Sequence, residues 1–263
     1  MSCILVTGAA GFIGNALARS LAADGHELIL IDDFSSGRSL DAGPGTVIVR
    51  GDVRDVDFLS AALPDHIEAV YHCAAQSSGE VSFDDPWDDL SRHVHATFRV
   101  LEASAVRGVR SFVYLSSMAV YGEPAKTPIS ETDLVAPRSF YGAGKLASEA
   151  YVRLFNERGM STRVVRPFSV YGSGQDFSNL RQGMVSIYMA QMRNRGHIEV
   201  KGSLDRFRDL VHIEDAVSGI RRAGESRSAD GGTFNLCAGL KVTVRELLNE
   251  ILDVTGGGWR DVS

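Results

Sequence analysis

Two side chains that could move a proton lie four residues apart near the middle of the sequence. In SFYGAGKLASE, residues 139–149, Tyr141 precedes Lys145 by four positions, and the segment has the pattern of a helix. Residues four apart share one helical face, so the Lys145 ammonium could favour ionisation of the Tyr141 phenol and make it a general acid/base. The spacing alone is more typical of an ordinary helix with a buried ring and a surface charge.

The first predicted strand runs into a glycine-rich turn that could hold a dinucleotide. In ILVTGAAGFIG, Gly8, Gly11 and Gly14 stand between that strand and the following helix. Glycines let the backbone approach a pyrophosphate closely, and the helix amino-terminus supplies free N–H groups. The next strand ends in IDD, where the Asp32 carboxylate could bind the adenosine ribose and would repel a 2′-phosphate. The pattern favours NAD over NADP, and the alternative is a tight turn without a ligand.

Two further strand ends extend the predicted cofactor site. RGDVRD places Asp52 and Val53 where an adenine ring would lie, and HCAAQSS follows the next strand. The small Ala74 and Ala75 would let the backbone pass close to the cofactor. Each motif alone is typical of plain packing, but their position at the carboxyl ends of successive strands favours a bound dinucleotide.

Two serines supply a hydroxyl partner for the tyrosine. Ser116 and Ser117 end the fifth predicted strand in YLSSMAVYG. A free tyrosine has a pKa of about 10, so it must lose about 3 units, or about 4 kcal/mol, to act as a base near pH 7. Lys145 and an oxidised nicotinamide ring could supply that stabilisation, and Ser117 could hold a substrate hydroxyl in line. These residues have the parts needed for hydride transfer at a sugar or alcohol carbon.

The elements that must position these residues are short apolar strands alternating with helical patterns. Gly25 suits the carboxyl end of the first helix, and Asp85 with Pro86 suits the start of a long later one. The predicted strands are CILVTG, ELILID, TVIVRG, AVYHCAA, SFVYLSS, TRVVRPFSV and, much later, TFNLC. This alternation predicts an α/β fold with a doubly wound parallel sheet, covered on both faces, of the Rossmann type.

The pattern loosens after Pro167, which divides the chain. We predict an NAD-binding Rossmann domain over residues 1–167, to which residues 210–238 return. A small carboxyl-terminal substrate-binding lobe would comprise residues 168–209 and 239–263. One good helix is predicted near the end, within LKVTVRELLNEILDVTGGG.

Composition excludes several classes of function. Hydrophobic residues make up 44% and charged residues 23% of the 263 positions, and the formal net charge is −6. An acidic chain has no global electrostatic attraction for nucleic acid or an anionic membrane surface. The start of the chain lacks a basic leader, and no apolar run reaches the roughly 18 residues of a membrane span. We expect a cytoplasmic protein with no nucleic-acid or membrane partner.

The three cysteines are Cys3, Cys73 and Cys237, and each lies in an apolar, strand-like run. We predict that they are reduced core residues of an intracellular protein rather than disulfide partners or metal ligands. No metal site is predicted.

Seven motifs occur in the order found in a known family: TGAAGFIG, IDDFSSG, GDVRD, HCAAQ, SSMAVYG, YGAGK and RPFSVYGSGQ. From residue 2 to about residue 255 the sequence resembles the extended short-chain dehydrogenase/reductase family, in its UDP-glucose 4-epimerase-like nucleotide-sugar epimerase and dehydratase branch. The resemblance implies bound NAD, a lobe for a nucleotide-diphosphate sugar, with a UDP-sugar as first candidate, and a homodimer built on two helices per subunit.

The resemblance also assigns residues by position. It gives Tyr141 and Lys145 the catalytic roles argued above and selects Ser117 over Ser116. The implied cofactor-binding residues are Gly8, Gly11, Phe12, Ile13, Gly14, Asp32, Asp33, Ser36, Asp52, Val53, Ala74, Ala75, Gln76, Ser116, Tyr141, Lys145 and Pro167. The implied substrate-binding residues are Ser77, Ser117, Tyr141, Ser169 and Arg208.

Arg208, in DRFRDLVHIED, is the implied ligand of the substrate diphosphate. A bidentate guanidinium is a suitable phosphate anchor in an acidic protein. The alternative is a surface ion pair with Asp205 or Asp209. Ser169 stands where the family commonly has an asparagine that also touches the diphosphate; a serine still donates one hydrogen bond but reaches less far.

The residues after Ser117 narrow the reaction. The family's 4,6-dehydratases carry an Asp-Glu pair there, whereas this sequence has Met118 and Ala119, which cannot move a proton. What remains is 4-epimerisation through a transient 4-keto sugar, which needs only Ser117, Tyr141 and Lys145. A dehydratase or reductase of the same family, or a non-catalytic NAD-binding protein, is the alternative.

Two departures from the family pattern remain open. In HVHAT, His93 replaces the asparagine of the family's NVxGT run, either as a satisfied helix residue or as a polar contact near the nicotinamide. The chain also ends soon after its last predicted helix, where family members carry several dozen more residues. We expect either a fragment or a reduced substrate lobe.

Overall fold

The fold is described from a computed structural model of residues 2–36, 39–40 and 43–263. Met1, at the start of the predicted first domain, and Gly37, at the end of the IDDFSSG motif, lie outside these residues.

A seven-stranded parallel sheet forms the centre of the protein. The strands are β1 Cys3–Thr7, β2 Glu27–Asp32, β3 Thr46–Arg50, β4 Ala69–His72, β5 Ser111–Leu115, β6 Thr162–Pro167, β7 Ser169–Tyr171, β8 Phe207–Arg208, β9 Leu210–His212, β10 Thr233–Leu236 and β11 Val242–Thr243. The large sheet has the order β10-β6-β5-β4-β1-β2-β3, and all its neighbours are parallel. Its winding reverses between β1 and β4, which places the topological switch point at the carboxyl ends of these strands.

Helices cover both faces of this sheet, and the doubly wound prediction is confirmed. The helices are α1 Phe12–Ala23, α2 Val56–Ala62, α3 Pro86–Leu90, α4 Ala96–Val106, α5 Phe140–Glu157, α6 Met184–Arg195, α7 Ile213–Glu225 and α8 Val244–Thr255. Leu17 of α1 and Ile220 of α7 belong to the core on one face. Leu59 of α2, Leu101 of α4 and Val152 of α5 belong to the core on the other.

The cover is incomplete at one edge of the sheet. The outer strand β3 leaves Val47 60% and Ile48 45% exposed, although its sequence has the apolar pattern of a buried strand. The sixth predicted strand, TRVVRPFSV, is also divided: β6 ends at Pro167, and β7 pairs with β9 instead of with the large sheet.

A smaller core lies beside the large sheet. Tyr188 of α6 packs with Leu248 and Ile251 of α8. Strands β8 and β11 form an antiparallel pair in the same region. Helix α7 and strand β10, by contrast, pack against and extend the large sheet.

Local signals at helix ends are confirmed where side chains cap them. The Asp85 carboxylate accepts hydrogen bonds from the backbone N–H groups of Trp87 and Asp88, with Pro86 at the first helical position. Gly25 follows α1 with a φ of +78°. The helical run from residue 86 to 106 is not uniform, however: residues Ser91–His95 form a π-helical turn between α3 and α4.

The cysteines differ in burial. Cys3 and Cys73 are partly buried, whereas Cys237 is exposed, because β10 ends one residue before it. The prediction of a core residue is therefore wrong for Cys237. Within the residues described, no helix combines the length and apolar character required to cross a membrane.

Candidate active site

A cavity of about 610 Å³ opens at the carboxyl ends of the central strands. Every residue predicted to bind cofactor or substrate, or to act in catalysis, lines this one cavity. Its wall combines the first turn of α1, the ends of β1, β2, β4 and β5, the start of α5, and residues of the smaller lobe. The structure thus brings together motifs that lie far apart in the sequence.

Close backbone packing explains two of the glycines in the first turn. Gly8 has a φ of +68°, and a Cβ there would lie 2.5 Å from the backbone nitrogen of Ala74. A Cβ at Gly14 would lie 2.1 Å from the carbonyl oxygen of Gly8. A larger residue at either position would push α1 or β4 away from the turn.

The start of α1 suits an anion. Gly11 is its N-cap, no side chain caps its first N–H groups, and no acidic residue lies in its first turn. These backbone groups border the cavity, and unsatisfied N–H groups at a helix amino-terminus bind phosphate. The residues present therefore fit the pyrophosphate of a dinucleotide.

Asp32 is held at the next strand end. Its Oδ2 accepts a hydrogen bond from Ala10 N at 2.9 Å and its Oδ1 one from Phe34 N at 2.7 Å. Burial raises the pKa of this carboxyl, and the two backbone donors oppose that shift. The carboxylate is thereby fixed beside the glycine turn, as a ribose ligand requires.

Two arginines that the sequence analysis did not assign close the neighbouring part of the cavity. Arg54 Nη2 lies 2.6 Å from Asp52 Oδ2, and hydrogen bonds from Arg54 hold the pKa of Asp52 below its usual range. Arg92 Nη1 lies 3.4 Å from Asp33 Oδ2. The arginine of RGDVRD was a visible signal, since it directly follows Asp52 and Val53; Arg92, on a distant helical turn, offered none.

Tyr141 and Lys145 share a face of α5 but do not hydrogen-bond to each other. Lys145 Nζ donates to the Leu115 carbonyl at 2.6 Å and lies 6.0 Å from the centroid of the Tyr141 ring. Burial lowers the pKa of Lys145 to about 8, against the opposing effect of Cys73, Asp89 and Glu149. The ammonium is therefore largely charged at pH 7 and loses its charge as the pH rises through about 8.

The phenol of Tyr141 is in the opposite condition. Burial raises its pKa, the Ser117 hydroxyl lowers it, and Asp89 raises it again. In this environment the phenol is protonated at neutral pH. It can donate a proton as it stands, but it can accept one only if further positive charge favours the phenolate.

The two serines have different partners. The Ser117 Oγ accepts a hydrogen bond from Ala119 N at 3.1 Å and so caps the short 3₁₀ turn Met118–Tyr121. Ser116 lines the cavity as predicted for a cofactor residue, but its hydroxyl donates to Glu149 Oε1 at 2.5 Å. Of the two hydroxyls, that of Ser116 is thus engaged by a buried carboxylate.

That carboxylate belongs to a buried ion pair that the sequence analysis missed. Arg166 at the end of β6 donates to Glu149 of α5 through Nε at 2.9 Å and Nη2 at 2.6 Å. The side chains are 5% and 0% exposed, respectively. The pair ties α5 to the strand ends that carry Ser116 and Pro167.

The predicted substrate residues lie on the other wall of the cavity. Arg208 donates through Nη1 to the Phe207 carbonyl at 2.7 Å, and among the described residues it has no carboxylate partner. Asp209 instead accepts hydrogen bonds from the backbone N–H groups of Ala238, Gly239 and Leu240. The predicted alternative, an ion pair of Arg208 with Asp205 or Asp209, is therefore not formed.

A segment at residues 175–183 crosses the cavity mouth, and we call it the strap. Ser77 Oγ donates to Gln182 Oε1 at 2.9 Å, and Ser78 Oγ donates to the Arg181 carbonyl at 2.9 Å. Arg181 also forms ion pairs with Asp84 at 2.5 Å and Glu80 at 3.1 Å. Ser77, predicted to bind substrate, is thus also an anchor of the strap.

His93 is fully buried and contacts the predicted catalytic residue. Its ring meets that of Tyr141 edge-on, with centroids 5.2 Å apart. It is not a satisfied helix residue, because neither ring nitrogen has a hydrogen-bond partner among the described residues.

The sheet order, the glycine turn and the clustered Ser117, Tyr141 and Lys145 define a dinucleotide-binding α/β protein with a hydride-transfer type of site. Residues 4–237 match the NAD dependent epimerase/dehydratase family, and the chain belongs to that family. It is 36% identical over 259 residues to a UDP-glucose 4-epimerase of Mycolicibacterium smegmatis, covering 96% of this chain and 82% of that protein.

Solved structures agree in fold. A Thermotoga maritima UDP-glucose 4-epimerase structure with UDP-glucose has a TM-score of 0.91 and 30% identity, covering 97% of this chain and 82% of the other. The structure of MoeE5 in complex with UDP-glucose and NAD has a TM-score of 0.85 and 33% identity, covering 96% and 82%.

Gly8→Ala tests whether the glycine turn holds the cofactor. We expect the added Cβ to displace Ala74 and weaken NAD binding by about tenfold or more, as measured by isothermal titration calorimetry. Gly25→Ala is the matched control, because Gly25 also has a positive φ but its Cβ would meet no atom within 4 Å. Both variants should lose about 1–2 kcal/mol of unfolding free energy from the strained backbone. Equal NAD affinity in both would contradict the assignment.

Proposed function

We propose that the protein is an NAD-dependent epimerase that inverts C4 of a nucleotide-diphosphate sugar, with a UDP-sugar as first candidate. The observation that carries this proposal is the composition of one cavity wall. Ser117, Tyr141 and Lys145 stand at the switch point, and the positions after Ser117 are occupied by Met118 and Ala119. The similarity to UDP-glucose 4-epimerases supports the same reaction and the same nucleotide.

Tyr141 is the proposed acid/base. Bound NAD would accept a hydride from C4 and later return it to the opposite face of the sugar. Tyr141 takes the proton of the 4-hydroxyl as the carbonyl forms at C4, and it gives the proton back as the carbonyl is reduced. The sugar turns over between the two steps, so one phenol serves both epimers.

Lys145 and Ser117 support this proton transfer. The Lys145 ammonium, fixed by the Leu115 carbonyl, provides the positive charge that favours the phenolate during the first step. The Ser117 hydroxyl keeps a free donor while its oxygen accepts from Ala119 N, and it can bind the sugar oxygen at C4.

Arg208 and Ser169 are the proposed diphosphate ligands. Both line the cavity on the side away from the glycine turn. Arg208 has no carboxylate partner in the described part of the chain, and its neighbour Asp209 is satisfied by three backbone donors. The division into a Rossmann domain and a substrate lobe belongs to the same proposal.

The direct test is to incubate the protein with UDP-, GDP-, CDP- and dTDP-hexoses and to assign the products by proton NMR. The proposal expects interconversion of C4 epimers without net consumption of NADH. A 4-keto-6-deoxy product would establish a dehydratase, and a reduced sugar formed at the expense of added NADH a reductase. No turnover, and no absorbance change at 340 nm, would favour a non-catalytic NAD-binding protein.

Tyr141→Phe should lower kcat by about 10²–10⁴-fold, because the acid/base is removed while the ring remains. NAD affinity should change by no more than about twofold in calorimetry. Tyr151→Phe, on the exposed side of the same helix, is the control and should retain activity. Near-full activity of Tyr141→Phe would remove Tyr141 from the mechanism.

Arg208→Ala should raise KM for the nucleotide sugar by about 10–100-fold, since a charge-assisted hydrogen bond to phosphate contributes about 1.5–3 kcal/mol. Arg193→Ala, an exposed arginine on α6, controls for the loss of one surface charge. Initial rates over a range of substrate concentrations give the comparison. Unchanged KM in Arg208→Ala would contradict the diphosphate role.

We also infer a homodimer and a cytoplasmic location. Large apolar side chains are exposed along α3, α4 and α5, among them Trp87, Val106 and Leu154. Phe98 contacts Tyr151 and Phe155 edge-on, which extends this surface between α4 and α5. A contiguous apolar surface of this kind is typical of a dimer interface. The three unpaired thiols support a reducing compartment.

Leu154→Glu should shift the protein from dimer to monomer, because it places a charge in the proposed interface. Leu154 is 50% exposed, and Val254 on α8 is 77% exposed, so Val254→Glu is a control of similar chemistry on another surface. Sedimentation velocity measures both. A monomeric wild-type protein, or an equal effect of both variants, would contradict the interface.

A further inference from the structure

His93 and Asp89 form a buried cluster directly behind Tyr141. Asp89 lies in α3 and His93 in the π-helical turn Ser91–His95, and the two are 2% and 0% exposed. His93 Nε2 lies 3.4 Å from Asp89 Oδ1. π-Helical turns are rare and occur frequently at functional sites, which directs attention to what this one positions.

Helix α5 is shaped to receive the imidazole. A Cβ at Gly144 would lie 3.0 Å from the Cβ of His93, so the ring sits against bare backbone between Tyr141 and Lys145. The Ser148 hydroxyl donates to the His93 carbonyl at 3.1 Å and joins the two helices. The edge of the imidazole thus limits the movement of the Tyr141 ring.

The cluster has unused hydrogen-bonding capacity. Both ring nitrogens of His93 and Asp89 Oδ2 are buried without a hydrogen-bond partner among the described residues. Such groups each cost about 1–3 kcal/mol, so their retention requires an explanation beyond packing. Asp89 Oδ1 accepts from Gln76 Nε2 at 3.3 Å, and Gln76 itself lines the cavity. The carboxylate is therefore one residue removed from the ligand.

The charges around the cluster have opposite effects. Burial lowers the pKa of His93; Asp89 raises it, and Lys145 and Arg92 lower it. His72, at the end of β4, is also buried nearby, and its pKa is lowered to about 3 by burial, Lys145 and His93. Both imidazoles are neutral at pH 7. The charged groups facing Tyr141 are then the Asp89 carboxylate on one side and the Lys145 ammonium on the other.

We propose that His93 and Asp89 are a positioning pair for Tyr141: the imidazole fixes the plane of the phenol ring, and the carboxylate opposes the effect of Lys145 on its ionisation. The pair deepens the proposed function and rests on it. An epimerase must return the proton that it takes. Lys145 favours the phenolate that takes the proton, and Asp89 favours the phenol that gives it back.

The first test measures the ionisation of Tyr141 without any turnover. The protein is labelled with tyrosine carrying ¹³C at Cζ, and the pH titration of each of its seven tyrosines is followed by NMR. Tyr141→Phe identifies the Tyr141 signal. In Asp89→Asn, which preserves shape and removes charge, we expect the titration of Tyr141 to move to lower pH by about one unit.

Glu102→Gln is the matched control, since Glu102 lies on α4 of the same helical run but is 44% exposed in a surface pair with Arg99. It should leave the Tyr141 titration unchanged. No shift in Asp89→Asn, or an equal shift in Glu102→Gln, would overturn the proposal. These outcomes do not depend on whether the protein is an epimerase, so they are distinct from a failure of the proposed function.

The second test separates the imidazole from the carboxylate. In His93→Asn the carboxylate remains but the ring contact is lost, so kcat should fall about tenfold with KM nearly unchanged. The acid limb of the kcat/KM profile should stay in place, because neutral His93 contributes no charge there. In Asp89→Asn that limb should move to lower pH. Thermal unfolding of each variant checks folding, and identical pH profiles for both variants would overturn the division of roles.

Discussion

The buried Glu149–Arg166 pair is the interaction on which the geometry of the site most depends. Glu149 lies one helical turn beyond Lys145, and it binds Ser116 and Arg166, the residues immediately before Ser117 and Pro167. One carboxylate therefore joins α5 to two strand ends. A charge buried this deeply is tolerated only with such complete pairing, and removing one partner of a buried pair destabilises a protein by about 3–5 kcal/mol. The pair thereby holds the catalytic helix at the sheet edge.

The two halves of the cavity are held by interactions of different strength. The cofactor half is formed by parallel strands, close glycine contacts and buried hydrogen bonds. The strap over the substrate half is fixed by Arg181, whose partners Glu80 and Asp84 are exposed. Exposed ion pairs contribute about 0–1 kcal/mol each, so the strap can part from residues 77–84 at little free energy. Such a difference suits a cofactor that stays and a sugar nucleotide that enters and leaves.

Much of the fold and of the cofactor site could be predicted because the signals are local. A strand, three glycines and a helix specify the turn around Gly8, and strand ends such as that of Asp32 meet at one edge in any parallel sheet. The interactions that were missed join positions far apart. Glu149 and Arg166 each have the pattern of a charged surface residue, and only the packing of α5 on β6 reveals their contact. Cys237 was misplaced because a strand boundary shifted by one residue changes burial.

The π-helical turn at Ser91–His95 has a consequence for helix phase. A π turn holds one residue more than an α turn, and each residue of an α-helix advances the side-chain direction by about 100°. The elements before and after this turn are thus out of phase by about one residue relative to a regular helix. Asp89 before the turn and His93 within it face the same partner only because of that extra residue. In a relative of equal composition but one residue shorter here, Asp89 would point elsewhere, so chain length in this turn carries information that residue identity does not.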